Sequence, residues 1–171
     1  MKDLIDIIKT RRTIRSYMDQ KVDRDLIIKL IESAKYAPTG MDKQKRRYTI
    51  VENEDIIRKL EQEVERALKR DGYNLFNTKT LIMISVPREL ENGLADTSVA
   101  MQNMYLAANY YGLGCCWINQ FKHLNDDEKI RDIFTKIGIP EGEAVYAAMT
   151  VGYPNEEPEY KERVETYYFI D

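Results

Sequence analysis

Arg11, Arg12 and Arg15 lie within five residues near the start of the chain, in a segment that reads RRTIRSY. Two hydroxyl side chains, Thr13 and Ser16, stand among them. A guanidinium binds a phosphate through parallel hydrogen bonds, and hydroxyl groups add further donors. The spacing therefore predicts a site for a compact anion such as a phosphate monoester. A solvated basic surface is the alternative, because short runs of charge commonly face water.

A second pair of cations, Lys161 and Arg163, lies near the other end of the chain. The pair follows the segment Gly152–Pro154, at which the last apolar run ends. If the fold brings both ends together, guanidinium forks and one ammonium would surround a single phosphate dianion. Judged alone, the pair is equally well explained as a solvated part of a charged tail.

The chain lacks the side-chain sets that conventional catalysis requires. Its one histidine, His123, has no metal-ligand spacing around it, and Cys115 and Cys116 are adjacent. No serine–histidine–aspartate set and no GxxxxGK phosphate loop is recognised. A phosphorylated cofactor would explain the arginines, with the protein supplying position and charge. We therefore predict no catalytic side chain and no metal site.

Alternating helical and strand-like periodicity predicts a mixed α and β domain that positions these cations. We predict helices at 4–8, 26–34, 57–68, 96–111 and 125–137, and strands at 47–51, 81–86, 115–118 and 144–153. Asp3, Asp23, Asp96 and Asn125 are the predicted N-terminal caps. The apolar run 81–86 indicates a buried central strand. The arginines fall in the connection between the first two helices.

The composition fits one domain over residues 1–171. A hydrophobic content of 43% is enough for a buried core without disulfides. The 26 basic and 29 acidic residues give a net charge of −3, which argues against a nucleic-acid partner. No stretch has the length of a membrane span, and the first residues lack a signal-peptide pattern. We therefore expect a cytoplasmic protein that uses neither nucleic acid nor membrane as a partner.

Residues 154–171 are predicted to form a C-terminal extension. The extension is polar and charged up to Arg163, whereas Val164–Ile170 is rich in aromatic and apolar side chains that favour strands. A strand of this kind needs a sheet edge to join, either in its own chain or in a second copy. The extension therefore hints at a homodimer.

Five segments of the chain match known motifs in order. RRTIRSY at 11–17 is similar to RRSxRxF/Y, and AKYAPTGM at 34–41 is similar to AxxAPSG(M). DTSVAMQNMYLAA at 96–108 is similar to DxxxAxQNxxLAA, GLGCCWI at 112–118 to GLGxCWI, and VGYP at 151–154 to VGYP. These are motifs of the nitroreductase family of FMN-dependent oxidoreductases. The chain thus resembles that family over nearly its whole length.

The resemblance implies a nitroreductase-like α+β fold: a three-layer sandwich whose central, mostly antiparallel sheet is flanked by helices. It also implies an intertwined homodimer, in which the extension wraps the partner and FMN binds at the subunit interface. NAD(P)H would reduce the flavin in a ping-pong cycle, and a small electron-poor acceptor, such as a nitroaromatic or a quinone, would take the electrons. A flavin-binding carrier or sensor with little turnover is the alternative.

The resemblance also implies roles for individual residues. Arg11 would contact the phosphate, and Arg12 and Thr13 the phosphate or the ribityl chain. Arg15 would lie at the N1/C2 edge of the ring, where a fixed guanidinium stabilises the negative charge left by reduction. The remaining cofactor-binding residues implied in this way are Pro38, Thr39, Gly40 and Met41 from the partner subunit, Gln44, Asn77, Asn119, Lys161 and Arg163.

The chain departs from the family pattern in three places. Residues 42–46 read DKQKR where many members have NxQPW, so Gln44 is kept while an acid and two cations replace other types. Burying Asp42 unpaired would be costly, and we expect it to face solvent or pair with a neighbouring cation. Asn119 stands where members often have glycine, and Asn77 where relatives place a ring-contacting residue.

Overall fold

The computed structural model describes residues 3–159 and 162–171. Within these residues, five α-helices and four β-strands follow one another along the chain. They are α1 (Leu4–Thr10), α2 (Arg24–Lys35), β1 (Arg47–Val51), α3 (Glu54–Leu68), β2 (Thr80–Pro87), α4 (Gly93–Tyr110), β3 (Gly114–Trp117), α5 (Glu128–Lys136) and β4 (Glu143–Gly152). Two short 3₁₀ helices lie at Gly40–Asp42 and Gln120–His123. None of the described helices is long and apolar enough to span a membrane.

The four strands form one antiparallel sheet in the order β1–β2–β4–β3. β2 is buried along nearly its whole length, and it pairs with β1 on one side and β4 on the other. The prediction of a buried central strand at 81–86 is therefore confirmed. β3 lies at an edge of the sheet. Residues 11–17, which we call the arginine segment, are attached to this strand.

Helices cover both faces of the sheet. Side chains of β2 alternate between the faces, so that Ile82 and Ile84 join α2 and α4 in one core. Leu81 and Met83 join α3 and α5 in the second core. The predicted three-layer α+β sandwich is confirmed.

Two of the predicted helix caps are wrong. α4 begins at Gly93, and the buried Asp96 carboxylate instead accepts the backbone N–H of Gly40. α5 begins after Asp127, whereas Asn125 exchanges hydrogen bonds with the backbone of Val145. Both side chains satisfy backbone groups that are distant in sequence, and local capping patterns cannot reveal such partners.

The C-terminal tail does not join the sheet of its own chain. Residues 162–171 have no regular secondary structure, so the strand predicted there is absent from the described chain. Their large apolar side chains are 78–97% exposed; these are Val164, Tyr167, Tyr168, Phe169 and Ile170. An exposed apolar segment of this size is typical of an interaction surface.

Candidate functional site

The arginine segment is attached to the free edge of β3. Thr13 forms a parallel bridge with Cys115, and the N–H of Ile14 donates to the Cys115 carbonyl at 3.0 Å. The Tyr17 hydroxyl donates to the Ile14 carbonyl at 2.7 Å and lies 2.8 Å from Thr150 Oγ1. The sheet therefore sets where the backbone of residues 13–17 runs, and with it the origin of the Arg15 side chain.

Two glycines allow this close attachment. A Cβ at Gly114 would lie 2.7 Å from Ile14 Cβ, and one at Gly152 would lie 2.8 Å from the Tyr17 ring. Distances that short do not occur between real carbon atoms, so a side chain at either position would push the segment away. Both glycines belong to the family-like motifs, and the structure gives the physical reason for each.

A cavity of about 420 Å³ lies between the arginine segment and the C-terminal tail. Its lining residues are Arg12, Thr13, Arg15, Glu156, Pro158, Glu159 and Arg163. We call it the anion cavity, because three guanidinium groups and a hydroxyl surround it. Cations from both ends of the chain therefore meet at one place. Lys161 lies outside the described residues.

A second cavity of about 310 Å³ adjoins Arg15. We call it the ring cavity; it is lined by Arg15, Arg70, Asp71, Gly72, Tyr73, Asn74, Phe76, Cys116, Trp117, Ile118 and Gln120. The Arg15 guanidinium carbon lies 6.0 Å from the centre of the Phe76 ring. Arg15 lines both cavities. A single ligand that filled both cavities would therefore contact the Arg15 guanidinium near the middle of its length.

Two side chains of the ring cavity carry buried polar atoms without a hydrogen-bond partner among the described residues. They are the Tyr73 hydroxyl and Gln120 Oε1. The Trp117 ring instead packs against the α2/α4 core, 6.4 Å from the Tyr105 ring. Buried polar groups in proteins are almost always satisfied, so unpaired ones at a cavity indicate a polar ligand. One donor, one acceptor and the Arg15 guanidinium, next to an anion cavity, suit a planar heterocycle that carries a phosphate, and FMN is such a molecule. The residues at the two cavities therefore fit FMN.

Arg11 takes a different direction from Arg12 and Arg15. Its guanidinium carbon lies 5.4 Å from the centre of the Tyr105 ring, a cation–π distance. Arg11 lines a neighbouring cavity with Tyr105, Asn109 and Cys115, and Arg12 reaches that cavity as well. Arg12, for which contact with the phosphate or the ribityl chain was predicted, lines the anion cavity, whereas Arg11 does not. The role of Arg11 stays a prediction.

Both cysteines are buried on opposite faces of the sheet, Cys115 in the α2/α4 core and Cys116 in the α3/α5 core. The positive charge of Arg11 acts on Cys115 and that of Arg15 on Cys116, and each favours the ionised thiol. Burial nevertheless dominates, and it raises the pKa of both thiols above the ordinary value. The thiols therefore stay protonated at neutral pH and are poor nucleophiles.

The segment Pro38–Met41 does not line either cavity of its own chain. Its backbone is held by Asp96, which accepts the Gly40 N–H at 2.9 Å, and by Arg46, which donates to the Ala37 carbonyl at 2.7 Å. The Thr39 hydroxyl accepts the Gln44 N–H at 3.2 Å. Contact of Pro38, Thr39, Gly40 and Met41 with a flavin in a partner subunit stays a prediction, and so does the flavin contact of Gln44.

The DKQKR departure has a structural use that the sequence did not reveal. The Asp42 carboxylate is exposed to solvent and accepts the Gln44 side-chain N–H at 2.6 Å, and it pairs with no cation among the described residues. Arg46 turns inward and also donates to the Asp96 carbonyl at 3.2 Å. The Arg46 guanidinium therefore ties three backbone segments together.

Asn77 and Asn119 lie beside the cavities rather than in them. Asn77 is exposed in the left-handed region, with φ of 53°, and lines a separate hollow next to α3. Asn119 is exposed, and its neighbour Gln120 lines the ring cavity. Gln120 was within reach of sequence reasoning, because it follows the GLGxCWI-like motif. Nothing in the sequence pointed to Tyr73.

Comparisons with known proteins agree with this geometry. The family model described as "Nitroreductase family" matches residues 8–79 and 64–153. A curated relative from Methanothermobacter thermautotrophicus, provisionally named an NADH dehydrogenase/NAD(P)H nitroreductase, is 30% identical over 160 residues, covering 91% of this chain and 80% of the relative. The FMN reductase (NADPH) of Bacillus subtilis is 27% identical over 173 residues, covering 90% and 67%.

A solved structure has nearly the same fold. The nitroreductase with bound FMN from Bacteroides fragilis superposes with a TM-score of 0.89 at 27% identity, covering 100% of this chain and 98% of that chain. The likeness in fold therefore extends over the whole chain.

Proposed function

The chain belongs to the nitroreductase family, and from this premise we propose that it passes electrons from NAD(P)H through bound FMN to a small electron-poor organic acceptor. The Bacteroides fragilis relative binds FMN, and the Bacillus subtilis relative is named an NADPH-dependent FMN reductase. The observation in this chain that best supports the proposal is the pair of adjoining cavities with Arg15 between them. One cavity suits the phosphate, and the other suits the ring.

At the phosphate end, the chain supplies guanidinium groups and a hydroxyl. Arg12, Thr13 and Arg163 line the anion cavity, and each offers donors to phosphate oxygens. Arg11 lies alongside and adds positive charge, and we propose that Lys161 does the same. Glu156 and Glu159 also line this cavity, so its net charge is less positive than the arginines alone would give.

At the ring end, the chain supplies a fixed charge and polar contacts. FMN, when bound, accepts hydride from the nicotinamide and returns electrons to the acceptor. Arg15 holds a positive charge beside the ring cavity and stabilises negative charge that develops there. Tyr73 offers a donor and Gln120 an acceptor, which would fix the orientation of a planar ligand. The buried thiols stay neutral and leave the Arg15 charge intact.

We propose that the active form is a homodimer. The exposed apolar tail and the exposed side chains of α1, Leu4 at 63% and Ile5 at 50%, supply surface that a second copy would cover. Pro38–Met41 and Gln44, which do not line their own chain's cavities, would then reach the flavin of the partner. An acceptor such as a nitroaromatic or a quinone would enter from that side.

The visible spectrum of the purified protein tests this function. We expect flavin absorption bands that bleach when NADH or NADPH is added without oxygen, and that return when a nitroaromatic or a quinone is added. Bands that neither nucleotide bleaches would support the carrier or sensor alternative instead. A colourless protein that FMN does not reconstitute would contradict both functions.

A further inference from the structure

Glu156 joins the two ends of the chain at the anion cavity. After β4, the chain runs antiparallel to residues 16–18, and the two segments share backbone hydrogen bonds. The N–H of Met18 donates to the Tyr153 carbonyl at 2.9 Å, and the N–H of Asn155 donates to the Ser16 carbonyl at 2.9 Å. The described backbone pairing ends at Asn155.

The side chain of Glu156 continues this pairing for one more step. A single carboxylate oxygen, Oε1, accepts the backbone N–H of Arg15 and, at 3.2 Å, the backbone N–H of Ser16. Hydrogen bonds to an ionised acceptor are about twice as strong as neutral ones. The carboxylate thus holds the backbone of Arg15, the residue that lines both cavities, to the tail that bears Arg163.

We propose that Glu156 is a positioning residue for the phosphate end of the FMN site, an inference that rests on the proposed function. It keeps the tail, and therefore Arg163, folded over the anion cavity, and it fixes the backbone from which Arg15 extends. Without this attachment, the tail beyond Asn155 would have to be ordered each time the phosphate binds. That ordering costs conformational entropy and weakens the phosphate end selectively.

The negative charge of Glu156 has the opposite effect on the affinity for the phosphate. A carboxylate that lines an anion cavity repels a phosphate, so removing its charge would strengthen binding if repulsion were the larger effect. Three guanidinium groups line the same cavity and screen that repulsion. The two effects differ in sign, so the affinity for FMN separates them.

The test compares Glu156→Ala and Glu156→Gln with the matched control Glu157→Ala. Glu157 is an exposed carboxylate next to Glu156 that has no hydrogen bond to the arginine segment among the described residues. Equilibrium dialysis of the holoprotein against a series of FMN concentrations gives the affinity for FMN. Displacement of the bound FMN by riboflavin, which lacks the phosphate, gives the affinity for riboflavin. The ratio of the two affinities isolates the phosphate end from the ring end.

We expect Glu156→Ala to weaken FMN binding about tenfold, the equivalent of one lost charge-assisted hydrogen bond. Riboflavin binding should change less than about twofold, because the hydrogen bond from Ile14 to β3 still holds the arginine segment at the ring cavity. Glu156→Gln should keep most of the affinity, since its amide oxygen can accept the same two N–H groups. Glu157→Ala should resemble the unmodified protein. Tighter FMN binding in Glu156→Ala, or equal loss in Glu156→Ala and Glu156→Gln, would overturn the proposal.

A double-mutant comparison with Arg163→Gln sharpens the test. If Glu156 acts by holding the tail, Arg163→Gln should weaken FMN binding in the unmodified protein and have little further effect beside Glu156→Ala. Fully additive losses would contradict this mechanism.

Two further outcomes are distinguishable. If Glu156→Ala does not fold, Glu156→Asp replaces it: this variant keeps the charge but loses reach, and it should bind FMN more weakly than Glu156→Gln. The reverse order would overturn the proposal.

If the unmodified protein binds no FMN, the proposed function itself fails. If it binds FMN while every Glu156 variant binds equally well, only the role of Glu156 fails.

Discussion

At the scale of single residues, Arg15 has the most consequential position in the molecule. Its backbone is held by the edge of β3 and by Glu156, and its guanidinium lies between the two cavities. The nearest thiol, Cys116, is neutral because burial raises its pKa, so it does not cancel the charge. A cation fixed in this way favours any state of a bound ring that carries extra negative charge.

Replacing Arg15 with glutamine should make the bound flavin harder to reduce. We expect the midpoint potential to fall by about 30–60 mV, which corresponds to roughly 1.5–3 kcal/mol for a two-electron couple. Equilibration with reference dyes under nitrogen measures the potential. Arg24→Gln is the matched control, since Arg24 lies on α2 and pairs with Glu52. An unchanged potential in Arg15→Gln would show that Arg15 does not act on the ring.

At the scale of elements, the arginine segment packs closely against the sheet because glycines at the contact have no side chain. Hydrogen bonds then hold the segment in that place. Gly114 faces the Cβ of Ile14, an atom close to the backbone that cannot swing aside as the end of a flexible side chain can. Glycine at this position is therefore a packing requirement. Gly142 differs, because a Cβ there would meet no atom within 4 Å.

Gly114→Ala should separate the arginine segment from β3 and so disturb both stability and FMN binding. We expect a loss of about 1–3 kcal/mol in the free energy of unfolding, as for other overpacked sites. Gly142→Ala should change the free energy of unfolding by less than about 0.5 kcal/mol. Denaturant titration gives both values. Equal effects of the two substitutions would contradict the packing explanation.

The contact between α3 and α5 is linked to pH through Asp127. This carboxylate caps α5 by accepting the N–H of Ile130 at 3.2 Å, and it also pairs with Arg66 on α3. The Arg66 guanidinium holds the pKa of Asp127 below its ordinary value. A lowered pKa in the folded state means that the charge stabilises the fold above the unfolded pKa, near 3.9, and that this benefit disappears as the pH falls through the folded value.

Asp127→Asn should cost about 0.5 kcal/mol of unfolding free energy at pH 7, since an exposed ion pair contributes little. The difference from the unmodified protein should begin to shrink as the pH falls below about 4, where the unfolded chain takes up the proton, and disappear once the pH is below the lowered pKa of Asp127 in the folded state. Asp127→Ala should lose roughly 1 kcal/mol more, because the cap is removed as well. Urea titrations at several pH values measure both. A pH-independent cost for Asp127→Asn would contradict the role of the charge.

At the scale of the whole molecule, the described chain leaves a large apolar surface uncovered. The tail residues Tyr167 and Phe169 stack edge to face, with ring centres 5.9 Å apart, yet both rings are exposed to water. Both cores form without the tail residues. The exposed aromatic side chains of the tail therefore add no hydrophobic stabilisation unless a second surface covers them. The same second copy would bring Pro38–Met41 to the flavin.

Sedimentation equilibrium should therefore give the mass of a dimer. Tyr167→Asp combined with Phe169→Asp should shift the equilibrium toward the monomer by more than tenfold in the dissociation constant, because two aromatic side chains lose their burial. Loss of FMN should accompany the shift. Leu68→Asp is the control, since Leu68 is a partly exposed apolar residue on α3. A dimer that tolerates both tail substitutions would contradict the role of the tail.

Local patterns in the sequence determined the element order and part of the site. The period of apolar residues predicted each α-helix and each of the four strands, because burial of one face depends mainly on neighbours along the chain. The residue types in RRTIRSY indicated an anion site for the same reason: guanidinium chemistry belongs to the residue itself. Motif order then identified the family.

Contacts between distant residues were decided by the tertiary structure alone. The pairing of Glu156 with Arg15 joins positions 141 residues apart, and the use of Asp96 to hold Gly40 joins positions 56 apart. The different directions of Arg11 and Arg12, and the unpaired polar atoms of the ring cavity, likewise depend on how the layers pack. Such contacts leave no periodic trace in the chain, because each arises from a single meeting of two segments that the sheet brings together.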